Sequence, residues 1–162
     1  MPRKGLAFAL IAGMLNLATP ALAAEVAVSW IGADGTAVAT RTMDLEAFDA
    51  LTQVDIVTST PWTEGKHRFS GPTLASLATL AGGTAVRAVL HALNDFTADV
   101  PSEDWTTLGI ILATRIDGKV PRVYEKGPYW LMYPVDTLPQ PLEQKFASRM
   151  IWQVDAVTFY LN

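Results

Sequence analysis

Val89-Leu90-His91-Ala92-Leu93-Asn94-Asp95-Phe96-Thr97-Ala98-Asp99-Val100 holds two extended runs on either side of a polar pair. The first run, Val86 to Leu93, reads as a buried strand. Phe96 to Val100 continues the extended chain after the turn formers Asn94-Asp95. Towards the N-terminus, Gly71-Pro72 and Gly82-Gly83 bracket a predicted helix in which Leu74, Leu77, Ala78 and Ala81 recur at helical spacing. Val54 to Thr58 is β-branched and reads as a strand. Asp44 caps a short predicted helix, Leu45 to Leu51, with Leu45, Phe48 and Leu51 on one face. Val26, Val28 and Trp30 alternate as in a half-buried strand, and the Asp34-Gly35 turn returns the chain through Val38 to Met43.

Towards the C-terminus, Ser102 caps a short turn through Trp105. Ile110 to Thr114 is a strand, Asp117-Gly118 a turn, and Tyr129 to Tyr133 another strand. Pro134 to Pro141 is a proline-punctuated loop. Ile151 to Leu161 reads as the final strand, with Ile151, Gln153 and Asp155 opposed to Trp152, Val154 and Ala156. Strands mixed with short helices indicate an α+β domain built on a mixed β-sheet.

The first 23 residues read as a signal peptide. Arg3 and Lys4 precede an almost wholly apolar run from Gly5 to Leu17, and Pro20 leads into Ala21-Leu22-Ala23, a cleavage signature. The apolar run is shorter than the roughly 20 residues a membrane span needs. Residues 24–162 are then one exported domain, expected to be soluble. Losing Arg3 and Lys4 takes the formal charge from −4 to −6. That acidic balance argues against nucleic acid, whose phosphates demand clustered cations, and against direct binding to an anionic membrane. The chain has no cysteine. Thiolate metal sites, thiol redox chemistry and a cysteine nucleophile are excluded, and no disulfide stabilises the fold.

Catalytic candidates are few. His91 lies in an apolar run and reads as a hydrogen-bonded core histidine. For His67, in the polar stretch Gly65-Lys66-His67-Arg68-Phe69, a ligand role and a solvated surface role are both open. The chain shows no metal-spaced histidine pair, calcium loop, GxSxG elbow or phosphate-cradling glycine loop. Three aromatic-bearing stretches stand out instead: the Trp62 loop, the Asn94 turn, and Glu125-Lys126-Gly127-Pro128-Tyr129-Trp130. Flat aromatic surface beside polar donors suits a planar heterocycle. Core packing of Trp62, Trp130 and Trp152 is the competing reading, since tryptophan is mostly buried.

The order of motifs carries a resemblance. Thr60-Pro61-Trp62, Phe69-Ser70-Gly71-Pro72-Thr73-Leu74, Ala92-Leu93-Asn94-Asp95-Phe96 with Val100-Pro101, Leu112-Ala113, Asp117-Gly118-Lys119, and Lys126-Gly127-Pro128-Tyr129-Trp130 with Tyr133-Pro134 follow one another. That order resembles the molybdopterin-binding domain of the sulfite-oxidase family, from about Thr58 to Tyr160. Ser148-Arg149-Met150-Ile151-Trp152-Gln153 resembles its small exported members. In that family a cysteine just ahead of the tryptophan loop ligates molybdenum; here the stretch is Val57-Thr58-Ser59-Thr60. A neutral hydroxyl is a poor substitute for a soft thiolate.

The resemblance therefore implies a periplasmic pterin-binding protein without catalysis and without metal. Its ligand is a pterin rather than a molybdenum cofactor. Trp62 or Trp130 would stack on the pterin face, and Asn94, Arg115 and the Lys126-Gly127 backbone would read its edge, with His67 a further candidate. For Asn94 a plain turn role, and for Arg115 a surface ion pair, are equally open. The small exported relatives imply a partner, the periplasmic sensor domain of an inner-membrane cyclic-di-GMP enzyme. A molybdopterin-dependent oxidoreductase and a fold-only scaffold are the alternatives.

Overall fold

The computed structural model describes residues 24–140 and 143–162. The export segment read at residues 1–23, and Pro141 of the proline loop, lie outside the described residues. Among the described residues, ten strands are interspersed with four short helices. They are β1 (Val26–Ile31), β2 (Ala37–Met43), α1 (Leu45–Asp49), β3 (Gln53–Ser59), β4 (Lys66–Pro72), α2 (Leu74–Ala78), β5 (Ala85–Ala92), β6 (Thr97–Pro101), α3 (Ser102–Thr107), β7 (Ile111–Ala113), β8 (Arg115–Ile116), β9 (Trp130–Met132), α4 (Gln144–Arg149) and β10 (Val154–Leu161). The α+β class and the mixed sheet expected from the sequence are both present.

The main sheet has the order β2-β1-β10-β5-β6. β1 and β10 run parallel, from Ala27 beside Ala156 to Ile31 beside Tyr160, and every other pair is antiparallel. A second sheet orders β3-β4-β8, and β7 pairs with β9. The buried side of the main sheet presents Trp30 and Phe159, stacked at 5.9 Å. α2 and α3 cover it: Trp30 Nε1 donates to the Ala78 carbonyl at 3.0 Å, and Trp105 meets Phe159 edge-on at 6.1 Å. The buried apolar residues form one continuous cluster. Among the described residues no helix is long and apolar enough to cross a membrane.

Local chemistry explains most boundaries. Alternation buries Val26, Val28 and Trp30, and Gly35 turns the β1–β2 hairpin at φ +81. Asp44 caps α1 by accepting from the Ala47 amide at 2.9 Å. Four expectations need correcting. Pro72 closes β4 instead of opening the next helix; Thr73 caps α2, accepting from the Ser76 amide at 3.1 Å. Ser102 is the first helical residue of α3 and Pro101 occupies the cap. His91 is not in the core, because β5 buries Leu90 and Ala92 and turns His91 to the other face. The final strand starts at Val154: Gln153 is left-handed at φ +57 and the β5 register shifts between Val154 and Ala156. The expected alternation is broken there, and Ala156 loses its buried place to Val157 and Phe159.

Candidate functional site

The chain between α4 and β10 supplies one wall of a hollow of about 250 Å³. Its start is fixed by a partly buried ion pair: Arg149 Nη1 lies 2.8 Å from Asp104, which also accepts from the Tyr133 hydroxyl at 2.7 Å. Met150 then takes Trp130 Nε1 on its carbonyl at 3.1 Å, and the Ile151 carbonyl takes the Leu131 amide at 2.8 Å. These bonds lock the backbone to β9 and leave Met150, Ile151 and Trp152 facing the hollow.

Trp62 forms the adjoining wall. Its loop is tied by Thr60 Oγ1, which accepts from the Trp62 amide at 3.2 Å and bonds the Thr63 hydroxyl at 2.8 Å. The Trp62 and Trp152 rings meet edge-on at 5.3 Å and make an aromatic corner. Asn94 and Phe96 close one side from the β5–β6 turn, where Asn94 Oδ1 accepts from the Phe96 amide at 3.3 Å. Ser148 adds a hydroxyl to the lining. The lining is mainly apolar and aromatic, with Asn94 and Ser148 its polar side chains.

The residues singled out in the sequence divide between several places. Trp62 and Asn94 line this hollow; Lys126 is not part of its lining but stands over one of the lining rings, its Nζ 4.6 Å from the Trp152 centroid. Gly127 acts by closeness of backbone: a Cβ there would meet the Pro121 carbonyl oxygen at 2.0 Å. Trp130 does not offer a free face. It is 1% exposed, beneath the hollow, packed by Phe69, Trp62 and Trp152 at 5.7 to 6.2 Å. Arg115 is elsewhere, holding Asp49 through both guanidinium arms at 2.5 and 2.6 Å.

His67 lines a second hollow of about 210 Å³ with Asp117, Lys119, Pro121 and Glu125. Its Nδ1 is 2.7 Å from the Asp117 carboxylate and its Nε2 is 2.9 Å from the Glu64 carbonyl. With acceptors on both nitrogens the imidazolium is favoured. The Asp117 bond is the main cause that raises its pKa, against a smaller opposing effect of burial. Loop 120–127 gives Val120, Pro121 and Glu125 to this second hollow, and its Lys126 stands over the Trp152 ring that lines the first. Sequence reading passed over the α4–β10 segment as a wall of the site. The tryptophan at 152 and the motif around it were visible, but their meeting with Trp62 depends on long-range pairing.

The chain matches no protein-family model and no curated protein. Among solved structures it is similar to the sulfane dehydrogenase SoxCD from Paracoccus pantotrophus, with a TM-score of 0.59 and 14% identity. The likeness is one of fold. It covers 83% of this chain and 38% of the dehydrogenase chain, so the protein spans well under half of that neighbour's length. At this distance it supports the molybdopterin-binding-like fold suggested by the motif order.

The residues at the expected metal-ligand stretch do not fit thiolate-bound molybdenum. Thr58 is 1% exposed; its hydroxyl accepts from the Asp136 amide at 3.0 Å and donates to the Ser59 carbonyl. The Ser59 hydroxyl donates to Asp136 at 2.5 Å. Lys66, 2.7 Å away, and then that hydroxyl hold the Asp136 carboxyl down to about 2. These neutral donors are already engaged and no thiol exists to replace them. Among the described residues no group of three or more His, Asp or Glu side chains converges to hold a metal.

Proposed function

We propose that the protein is a non-catalytic pterin-binding module, exported to the periplasm, that passes its occupancy to the sensor domain of an inner-membrane cyclic-di-GMP enzyme. The observation that carries the ligand part is the aromatic corner of Trp62 and Trp152 in a hollow of about 250 Å³. Ligand pockets for drug-sized molecules run from roughly 300 to 1,000 Å³, so this one suits a compact bicyclic ring better than a whole dinucleotide. A pterin would lay its face on one indole and meet the edge of the other. Aromatic contacts of this kind contribute about 0.5–1.5 kcal/mol beyond the area they bury. Asn94 and Ser148 line the same hollow and would offer an amide and a hydroxyl to the ring's donor and acceptor edge, and Lys126 beside Trp152 favours an electron-rich ring.

The lack of any thiolate supports binding without oxygen-atom chemistry. The export motif and the resemblance to small exported proteins support the compartment and the partner. Titration with oxidised and tetrahydro pterins, followed by tryptophan fluorescence and calorimetry, tests the ligand. Saturable quenching with matching heat is the expected result, and an unchanged signal across the series would defeat it. Elemental analysis of protein from its native host should find no molybdenum; a stoichiometric amount would favour the oxidoreductase reading. N-terminal sequencing of periplasmic material should begin at or near Ala24, and an intact Met1 would overturn the export reading.

A further inference from the structure

Gln153 joins two lining segments of the hollow, those of Trp152 and Asn94, to a neighbouring loop that the chain order keeps apart from both. The residue before it, Trp152, is a wall. The Gln153 carbonyl accepts from the Leu93 amide at 3.1 Å and so holds the turn that bears Asn94 and Phe96. Its side-chain Nε2 donates to the Val123 carbonyl at 2.7 Å and so holds the loop that bears Lys126. Gln153 makes these bonds with its backbone at φ +57, a left-handed conformation uncommon for a residue with a Cβ.

Four non-glycine residues among those described are left-handed: Asp95, Asp117, Lys126 and Gln153. Asp117 makes an Asp-Gly turn; the other three sit one in each of the segments that meet at Gln153. Backbone held outside its preferred regions persists where the surroundings over-determine it, and such places gather at ligand clamps. The two tethered segments otherwise have weak anchorage. Leu93, Phe96, Val123 and Tyr124 are exposed, so little apolar burial fixes either one.

We infer that Gln153 is the positioning residue of the hollow: with one carbonyl and one amide it holds the Asn94 turn and the Lys126 loop onto Trp152. Filling the hollow and ordering both surface segments then become a single event. The ligand in this inference rests on the pterin reading; the joint itself belongs to the free protein.

Two variants of the full chain test it. Gln153→Glu keeps the size but cannot donate to the Val123 carbonyl, and Gln153→Gly removes the amide while easing the left-handed backbone. In ligand-free protein, hydrogen exchange at the amides of Glu125, Lys126 and Gly127 should quicken by about tenfold in both variants, while β1 and β5 keep their protection. Tetrahydrobiopterin affinity should fall roughly tenfold, the loss expected when a positioning hydrogen bond is broken. Unchanged exchange in both variants overturns the joint, whatever the pterin does. Faster exchange with wild-type affinity overturns its service to the hollow. Faster exchange in a protein that binds no pterin at all sinks the ligand reading and leaves the joint standing. Should the Glu variant unfold, the Gly variant decides by the same readouts.

Discussion

Trp62 and Trp130 share a side chain, and their surroundings assign them different tasks. Trp62 is half-buried with one face on the hollow, so Trp62→Ala should abolish most pterin binding while the protein stays folded. Trp130 is buried and its indole N–H is spent on Met150. Trp130→Ala leaves a cavity and an unpaired carbonyl, at a cost of about 3–5 kcal/mol. Urea unfolding and calorimetry on the two variants separate these outcomes. His67 offers a test by pH. Its pKa is raised chiefly by Asp117, so its contribution to stability is full below the ordinary value of about 6.5 and is lost as pH rises through the raised one. His91 is raised in the same sense by Asp155 and adds a second loss over the same window. Asp117, lowered chiefly by His67, works in the opposite direction and loses its contribution only in acid. Unfolding midpoints of wild type should therefore decline from about pH 6.5 upward, less steeply in His67→Gln, and with little slope left in the double variant with His91→Gln.

Helix α4 and strand β4 show how single contacts place whole elements. Arg149, the last residue of α4, neutralises the buried Asp104. Arg149→Met should cost about 3 kcal/mol by chemical denaturation, the low end for breaking a buried pair, because Arg149 keeps some water. In β4, a Cβ on Gly71 would lie 2.0 Å from the Leu112 carbonyl oxygen, so β4 and β7 approach only over a glycine. Gly71→Ala should reach the upper end of the roughly 1–3 kcal/mol that overpacking costs, read as a fall in Tm. The legible elements were those with a local signal: the β1–β2 hairpin by alternation and Asp34-Gly35, and α1 by Asp44. Helix α4 passed unread because it is six residues long, lacks a side-chain cap and buries only Phe146. The phase of β10 was misread because neither a bulge nor the left-handed Gln153 leaves a mark in hydrophobic alternation. At the site, Trp62 and Asn94 could be singled out, but composition cannot tell a tryptophan that walls a hollow from one that floors it. That distinction is made by β9 pairing with β7 and by Trp130 bridging Trp152.

On the proposed reading, a filled hollow has an effect only through a partner that reads it. If the sensor domain proposed as partner does so, pterin must strengthen its binding, and the sensor must strengthen pterin binding by the same factor. Affinity for the isolated sensor domain with and without saturating pterin measures this directly. A ratio above about fivefold is expected for a working switch, and equal affinities would defeat it. The architecture has another consequence, in time rather than in space. β10 lies at the centre of the main sheet, between β1 and β5, yet it follows the other nine strands in the chain. Until it arrives, β2-β1 and β5-β6 are two hairpins with raw inner edges, and each is marginal alone. The main sheet therefore cannot close until β10, the last of the strands described, is available to pair with both β1 and β5. Folding has to fit one strand between two made long before it, a non-local pairing of the kind that slows closure.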